Sequence, residues 1–178
     1  MSHVLFDDVV MTDYGQLDLL WTDEGGFDGD WDRFFAGQAN GLVGAGDPHG
    51  IYVNLARRSG GSRVRIEVTK SEPPLLDATF DDVVEVSTTI PAGASPRLEA
   101  WGGMGSAALR ELESGTYRVR VSASGRDAGD ADEFADGVVD EYVIQLWPAA
   151  VEPDRIVHTV SQNAAYWHAE ITGRRSAP

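Results

Sequence analysis

The clearest pattern in the chain is a two-residue alternation within Leu112–Ala123. There Tyr117, Val119 and Val121 alternate with Arg118, Arg120 and Ser122. That period predicts a strand with one buried face and one wet face. The expected partner strand is Asp140–Trp147, with Tyr142, Ile144 and Leu146 on one side and Val143, Gln145 and Trp147 on the other. Gly115 precedes the tyrosine by two residues, where a turn into a strand can require positive φ. A G-x-Y lead-in of this kind predicts that the Tyr117 phenol bonds back to nearby backbone.

The other segments read as further strands and turns. Leu17, Leu19 and Trp21 alternate with Gln16, Asp18 and Leu20. Asp30 is placed to cap a short helix through Trp31, Phe34 and Phe35. Residues 37–50 are glycine-dense and predict a loop with a short strand at Leu42-Val43. Ile51, Val53 and Leu55 form one apolar row and Val64, Ile66 and Val68 another. The turn RRSGG between them predicts a hairpin. Strands are also expected within Thr79–Ile90 and at Arg97–Trp101, and a loop at Ser124–Gly137. Pro148 and Pro153 interrupt regular structure, and His158–Ile171 fits a short helix or a last strand that packs Tyr166 and Trp167 on the body. Together these predict an all-β protein, an antiparallel β-sandwich of about seven to nine short strands with at most short helices. One domain is expected over residues 1–172, followed by a flexible C-terminal tail at 173–178.

Charge changes the picture more than composition does. The formal net charge is −15, which disfavours nucleic acid and anionic membrane as direct ligands. The acids are unevenly placed: residues 1–32 hold nine and residues 127–154 another nine, with no Lys or Arg in either stretch. Such asymmetry marks a candidate interaction surface. The chain has no cysteine, which excludes disulfides and thiolate chemistry and suits a cytoplasmic location. Its first residues do not form a signal peptide, and no apolar run is long enough to span a bilayer.

No motif for catalysis or metal binding survives inspection. Asp28, Asp30 and Asp32 form D-x-D-x-D, but an EF-hand loop starting there needs Gly and Glu where the chain has Arg33 and Ala39. The acids of 127–136 could instead gather an ion in one loop. Gly41, Gly44 and Gly46 lack the GK[ST] ending of a phosphate-binding loop. His3, His49, His158 and His168 show no paired spacing, and no serine sits in a GxSxG elbow. The expectation is a non-enzymatic protein without cofactor or metal. The five tryptophans, at 21, 31, 101, 147 and 167, belong either to the core or to a ligand-binding face, and Trp147 could pack with Trp167.

Several residues resemble those of the competence protein J family, small cytoplasmic inhibitors of a DNA-uptake nuclease. They are Tyr14 with Leu17 and Leu19, Trp21-Thr22-Asp23-Glu24, Gly115-Thr116-Tyr117-Arg118 and Asp140-Glu141-Tyr142-Val143-Ile144. The resemblance implies a non-enzymatic β fold able to bind a basic nuclease. The uneven charge, and not the resemblance, marks the partner-binding acids as Asp127, Asp130, Asp132, Glu133 and Asp136, joined on one rim by Asp23, Glu24, Asp28, Asp30 and Asp32. The two groups meet if the strand at 16–21 neighbours the strand at 140–147. The alternative is a small-ligand or carbohydrate-binding module, with or without calcium, which requires exposed tryptophans on a concave face.

Overall fold

The computed structural model describes residues 2–76, 79–132 and 134–175. Six strands form the larger sheet. In spatial order they are β1 (His3–Thr12), β5 (Gly60–Val68), β10 (Glu141–Pro148), β9 (Gly115–Ser124), β6 (Asp82–Ile90) and β11 (Arg155–His158). The smaller sheet contains β3 (Val43–Gly44), β4 (Gly50–Asn54), β2 (Gln16–Leu20), β7 (Arg97–Ala100) and β8 (Ser106–Ala108). The inward rows of both sheets meet in one apolar cluster. It includes Leu17 and Leu19 of β2, Ile51 and Val53 of β4, Val64 and Ile66 of β5, and Ile144 and Leu146 of β10. Trp21, just past β2, is buried in it and donates from its indole nitrogen to Thr88 Oγ1 of β6 at 3.1 Å, tying one sheet to the other.

The alternating pair is present: β9 and β10 are antiparallel, with Ile144 opposite Val121. The Tyr117 hydroxyl donates to the Glu113 carbonyl at 3.1 Å, as the G-x-Y lead-in predicts. Asp30 accepts from the Arg33 amide and caps the helix α1 (Trp31–Phe34).

Other expectations need correction. The described residues hold eleven strands, not seven to nine, because β8 and β11 are too short to show an alternation, whereas β3 is the short strand expected at Leu42-Val43. The sheets are not wholly antiparallel, since β5 and β10 run parallel. The rows at 51–55 and 63–69 do not make a hairpin: β4 and β5 lie in different sheets, and the RRSGG turn is the corner between them. Nor does β2 neighbour β10, which belongs to the other sheet. Helix is not confined to short pieces. Besides α2 (Arg126–Ala131), the last described residues form the 14-residue α3 (Gln162–Arg175). The polar face of β9 is not wet either. Arg118, Arg120 and Ser122 are buried, because residues 69–76 and 149–154 run over them. There Glu85 of β6 accepts from Arg120 at 2.9 Å, from Arg155 at 2.9 Å and from Arg118 at 3.4 Å. Burial raises the pKa of the Glu85 carboxyl, but bonds from Arg120 and Arg155 outweigh it and hold the group below its ordinary value.

Helix α3 lies against α1 and the 39–43 loop. Trp167 stacks on Trp31 with ring centroids 4.8 Å apart, so its partner is not Trp147, over which Arg120 sits. The buried His168 accepts from the Gly41 amide through Nδ1 at 2.9 Å. A Cβ at Gly41 would fall 2.2 Å from the Trp167 carbonyl oxygen, so the helix can approach this closely only over glycine. Gly41→Ala is expected to cost about 1–3 kcal/mol in urea unfolding. Gly173→Ala, in the last turn of α3 with open space around it, is expected to cost nothing.

Candidate functional site

The acid-only segment at 127–140 connects β9 to β10. Its first turn needs Gly125, at φ +73°, because a Cβ there would lie 2.3 Å from the Val139 carbonyl oxygen. Two buried arginines then fix its course. Arg126, 1% exposed, donates to the Asn54 carbonyl at 2.7 Å and to Asn163 Oδ1 of α3 at 2.6 Å. Arg57, 3% exposed, donates to the carbonyls of Ser59 at 2.8 Å and Gly61 at 3.0 Å on its own side. It also reaches the carbonyls of Gly137, at 2.5 Å, and Ala135. Between the two arginines, buried Asp140 accepts from Ser62 Oγ at 2.7 Å and from the Tyr142 hydroxyl at 3.0 Å. Burial raises the Asp140 pKa against the pull of those bonds and of the two guanidinium charges.

The expected partner-binding acids fall into three environments. Asp127 is structural: it accepts from the Gln162 and Asn163 amides at 3.1 and 2.9 Å, where a carboxylate stabilises the start of α3. Asp130, Asp132 and Asp136 are exposed and meet no cation among the described residues. Glu133 lies outside the described residues. The earlier group is engaged within the chain. Asp28 pairs with Arg33 at 2.9 Å, and Asp30 lies 3.8 Å from the same guanidinium, which also binds Asp47. The Asp28 carboxyl is held below its ordinary pKa by the Asp30 amide and by Arg33. Asp32 sits 3.8 Å from Arg174, Asp23 3.5 Å from Arg97 and Glu24 4.0 Å from His49. The fold thus brings Asp127, Asp130, Asp132 and Asp136 together in one connection. Asp127 touches the first turn of α3 and Asp32 the last, about 20 Å apart along the helix.

A residue that the sequence reading passed over stands among these free acids. Phe134 is 76% exposed and is the one aromatic between Tyr117 and Tyr142. Val138 and, on α3, Tyr166 are exposed as well. Isolation in a hydrophilic segment was the signal that could have found Phe134. Arg57 and Arg126 gave none, since arginines beside turns are ordinarily solvated.

The tryptophans make no common face. Trp21 and Trp147 are buried, Trp31 and Trp167 cover each other, and Trp101 leans on Tyr14 at 5.0 Å. Among the described residues, no three of His, Asp and Glu converge closely enough to hold a metal ion. No helix among them is long and apolar enough to cross a membrane.

No known protein family matches the chain, and no curated protein matches it in sequence. Two solved structures are similar to the chain in fold. One is ComJ from Bacillus subtilis, an inhibitor of the DNA degrading activity of NucA. It superposes with a TM-score of 0.58 at 17% identity, over 84% of this chain and 99% of ComJ. The other is the product of crocagin biosynthetic gene J, with a TM-score of 0.52 at 15% identity over 84% of this chain and 99% of its own. The resemblance read from the sequence is therefore present in the fold.

Arg57→Met removes the donors that hold the carbonyls of Ala135 and Gly137. Amide hydrogen exchange is expected to quicken over 134–138, while β9 and β10 keep their protection.

Proposed function

We propose that this chain is a non-enzymatic inhibitor that binds a basic protein, a DNA-degrading nuclease, through the connection between β9 and β10. The observation that carries this reading is Phe134, held out from a pinned loop among carboxylates that have no cation of their own. An exposed aromatic on a fixed base is the usual anchor of a protein interface. A nuclease needs a positive surface to hold DNA, and Asp130, Asp132 and Asp136 would steer the loop to that surface and compete for it. The fold shared with ComJ supports the nuclease as the partner class. The paired acids Asp23, Glu24, Asp28, Asp30 and Asp32 are at most a secondary rim, since each would have to leave a partner within the chain. A cytoplasmic site of action suits a chain with no cysteine.

The test is DNA degradation by a purified basic nuclease from the same genome, with the protein added at several salt concentrations. Inhibition is expected to weaken as salt rises. Phe134→Ala is expected to raise the inhibition constant by about tenfold to a hundredfold, through faster dissociation. Asp130→Asn, Asp132→Asn and Asp136→Asn together are expected to slow association and flatten the salt dependence. If both variants inhibit as well as the parent chain, the loop is not the binding surface.

A further inference from the structure

The outer face of the larger sheet carries a polar row in strict register. Glu67 of β5 is opposite Gln145 of β10, Gln145 opposite Arg120 of β9, Arg120 opposite Glu85 of β6, and Glu85 opposite Arg155 of β11. Topology forces a roof over it. By way of β10 and β9, β6 runs parallel to β5, so the connection that leaves β5 through residues 69–76 must pass over both intervening strands. Arg120 holds this crossover down, donating to the Pro73 carbonyl and to Glu72 Oε1, each at 2.8 Å. Between roof and sheet lies a pocket lined by Glu67, Gln145, Lys70, Glu72, Leu75 and Leu76 among others.

One group in this pocket is left incomplete. Gln145 is 2% exposed, and its amide nitrogen donates to Glu67 Oε1 at 2.8 Å. That bond fixes the orientation of the amide, because the reverse would set two acceptors against each other. Its oxygen, Oε1, is then a buried acceptor without a donor. The carboxylates of the pocket are already served, Glu67 by Gln145 and by Arg65 at 3.3 Å, and Glu72 by Arg120. Lys70 has no counter-ion among the described residues. The pocket therefore lacks one hydrogen-bond donor for Gln145, and it sets that acceptor beside the exposed ammonium of Lys70 and an aliphatic wall of Leu75 and Leu76.

We infer that this pocket binds a small aliphatic carboxylate bearing an N–H or O–H donor next to the acid group. The donor bonds Gln145 Oε1, the carboxylate meets Lys70, and the aliphatic chain lies on Leu75 and Leu76. An α-amino acid, an α-hydroxy acid and the C-terminal residue of a peptide all carry this chemistry. The site is separate from the β9–β10 connection and does not depend on the inhibitor reading.

The test is a titration of the isotope-labelled full chain, following the Gln145 side-chain amide by NMR. L-leucine, leucic acid and N-acetyl-L-leucine represent the three sources, and the tightest binder among them identifies the source. Isocaproate lacks the donor and isoamylamine lacks the carboxylate, so each is expected to bind about tenfold more weakly than that ligand. Lys70→Met is expected to weaken binding about tenfold without other change in the spectrum. Gln145→Met should do the same, and Lys70→Met carries the test if that core variant unfolds. Absence of a saturable shift with all three ligands would overturn the assignment, leaving Gln145 Oε1 to solvent. Equal binding of isocaproate, or an unchanged affinity in Lys70→Met, would overturn it too.

Discussion

Two guanidinium groups almost without solvent, those of Arg57 and Arg126, determine what the acidic end of this molecule can do. Neither is matched by a hydrogen-bonded carboxylate. Both donate to backbone carbonyls, and Asp140 sits between them as a nearby negative charge. Taking an arginine out of water is expensive, and only good bond geometry offsets it. A charged donor shared among carbonyls specifies the path of the chain and not the side chains along it. The segment between β9 and β10 is thereby free to carry Asp130, Asp136 and Phe134 outward, while Asp132 also accepts from the Phe134 amide at 3.1 Å.

Those side chains would otherwise work against the segment. Carboxylates of one sign in a short connection repel one another, and an exposed phenylalanine gains nothing in the free protein. The clamp from Arg57 to Ala135 and Gly137 opposes the splaying, and Asp127 ties the same segment to the first turn of α3. A loop ordered before it meets a partner has less entropy to lose on binding. The other acidic group follows a different logic. Arg33 draws Asp28, Asp30 and Asp47 around one charge and so fixes the segment that leads into α1.

Much of the fold was legible because local patterns report local facts. The alternation of Tyr117, Val119 and Val121 gave the inward face of β9, and Asp30 gave the start of α1. Alternation shows that two faces differ; it does not show that the polar one meets water. The alternation predicts solvated Arg118 and Arg120, yet both are buried, because the cover over them comes from residues 69–76 and 149–154, remote in sequence. The parallel pairing of β5 with β10 has no local signature at all. Helix α3 was hard to separate from a strand, since its buried positions are only Asn163, Ala164, His168 and Ile171, two of them polar. At the candidate site the acids were visible as a charge block. The arginines that make them a presented surface were not, because nothing in RRSGG distinguishes a buried Arg57 from an exposed Arg58.

The central claim is that a partner is met by the β9–β10 connection. Amide hydrogen exchange of the chain, alone and with the nuclease bound, tests it most directly. New protection is expected to concentrate at 130–138, with unchanged exchange around Asp23–Asp32. Protection confined to 23–32, or to the short strands β3 and β8 of the smaller sheet, would contradict it.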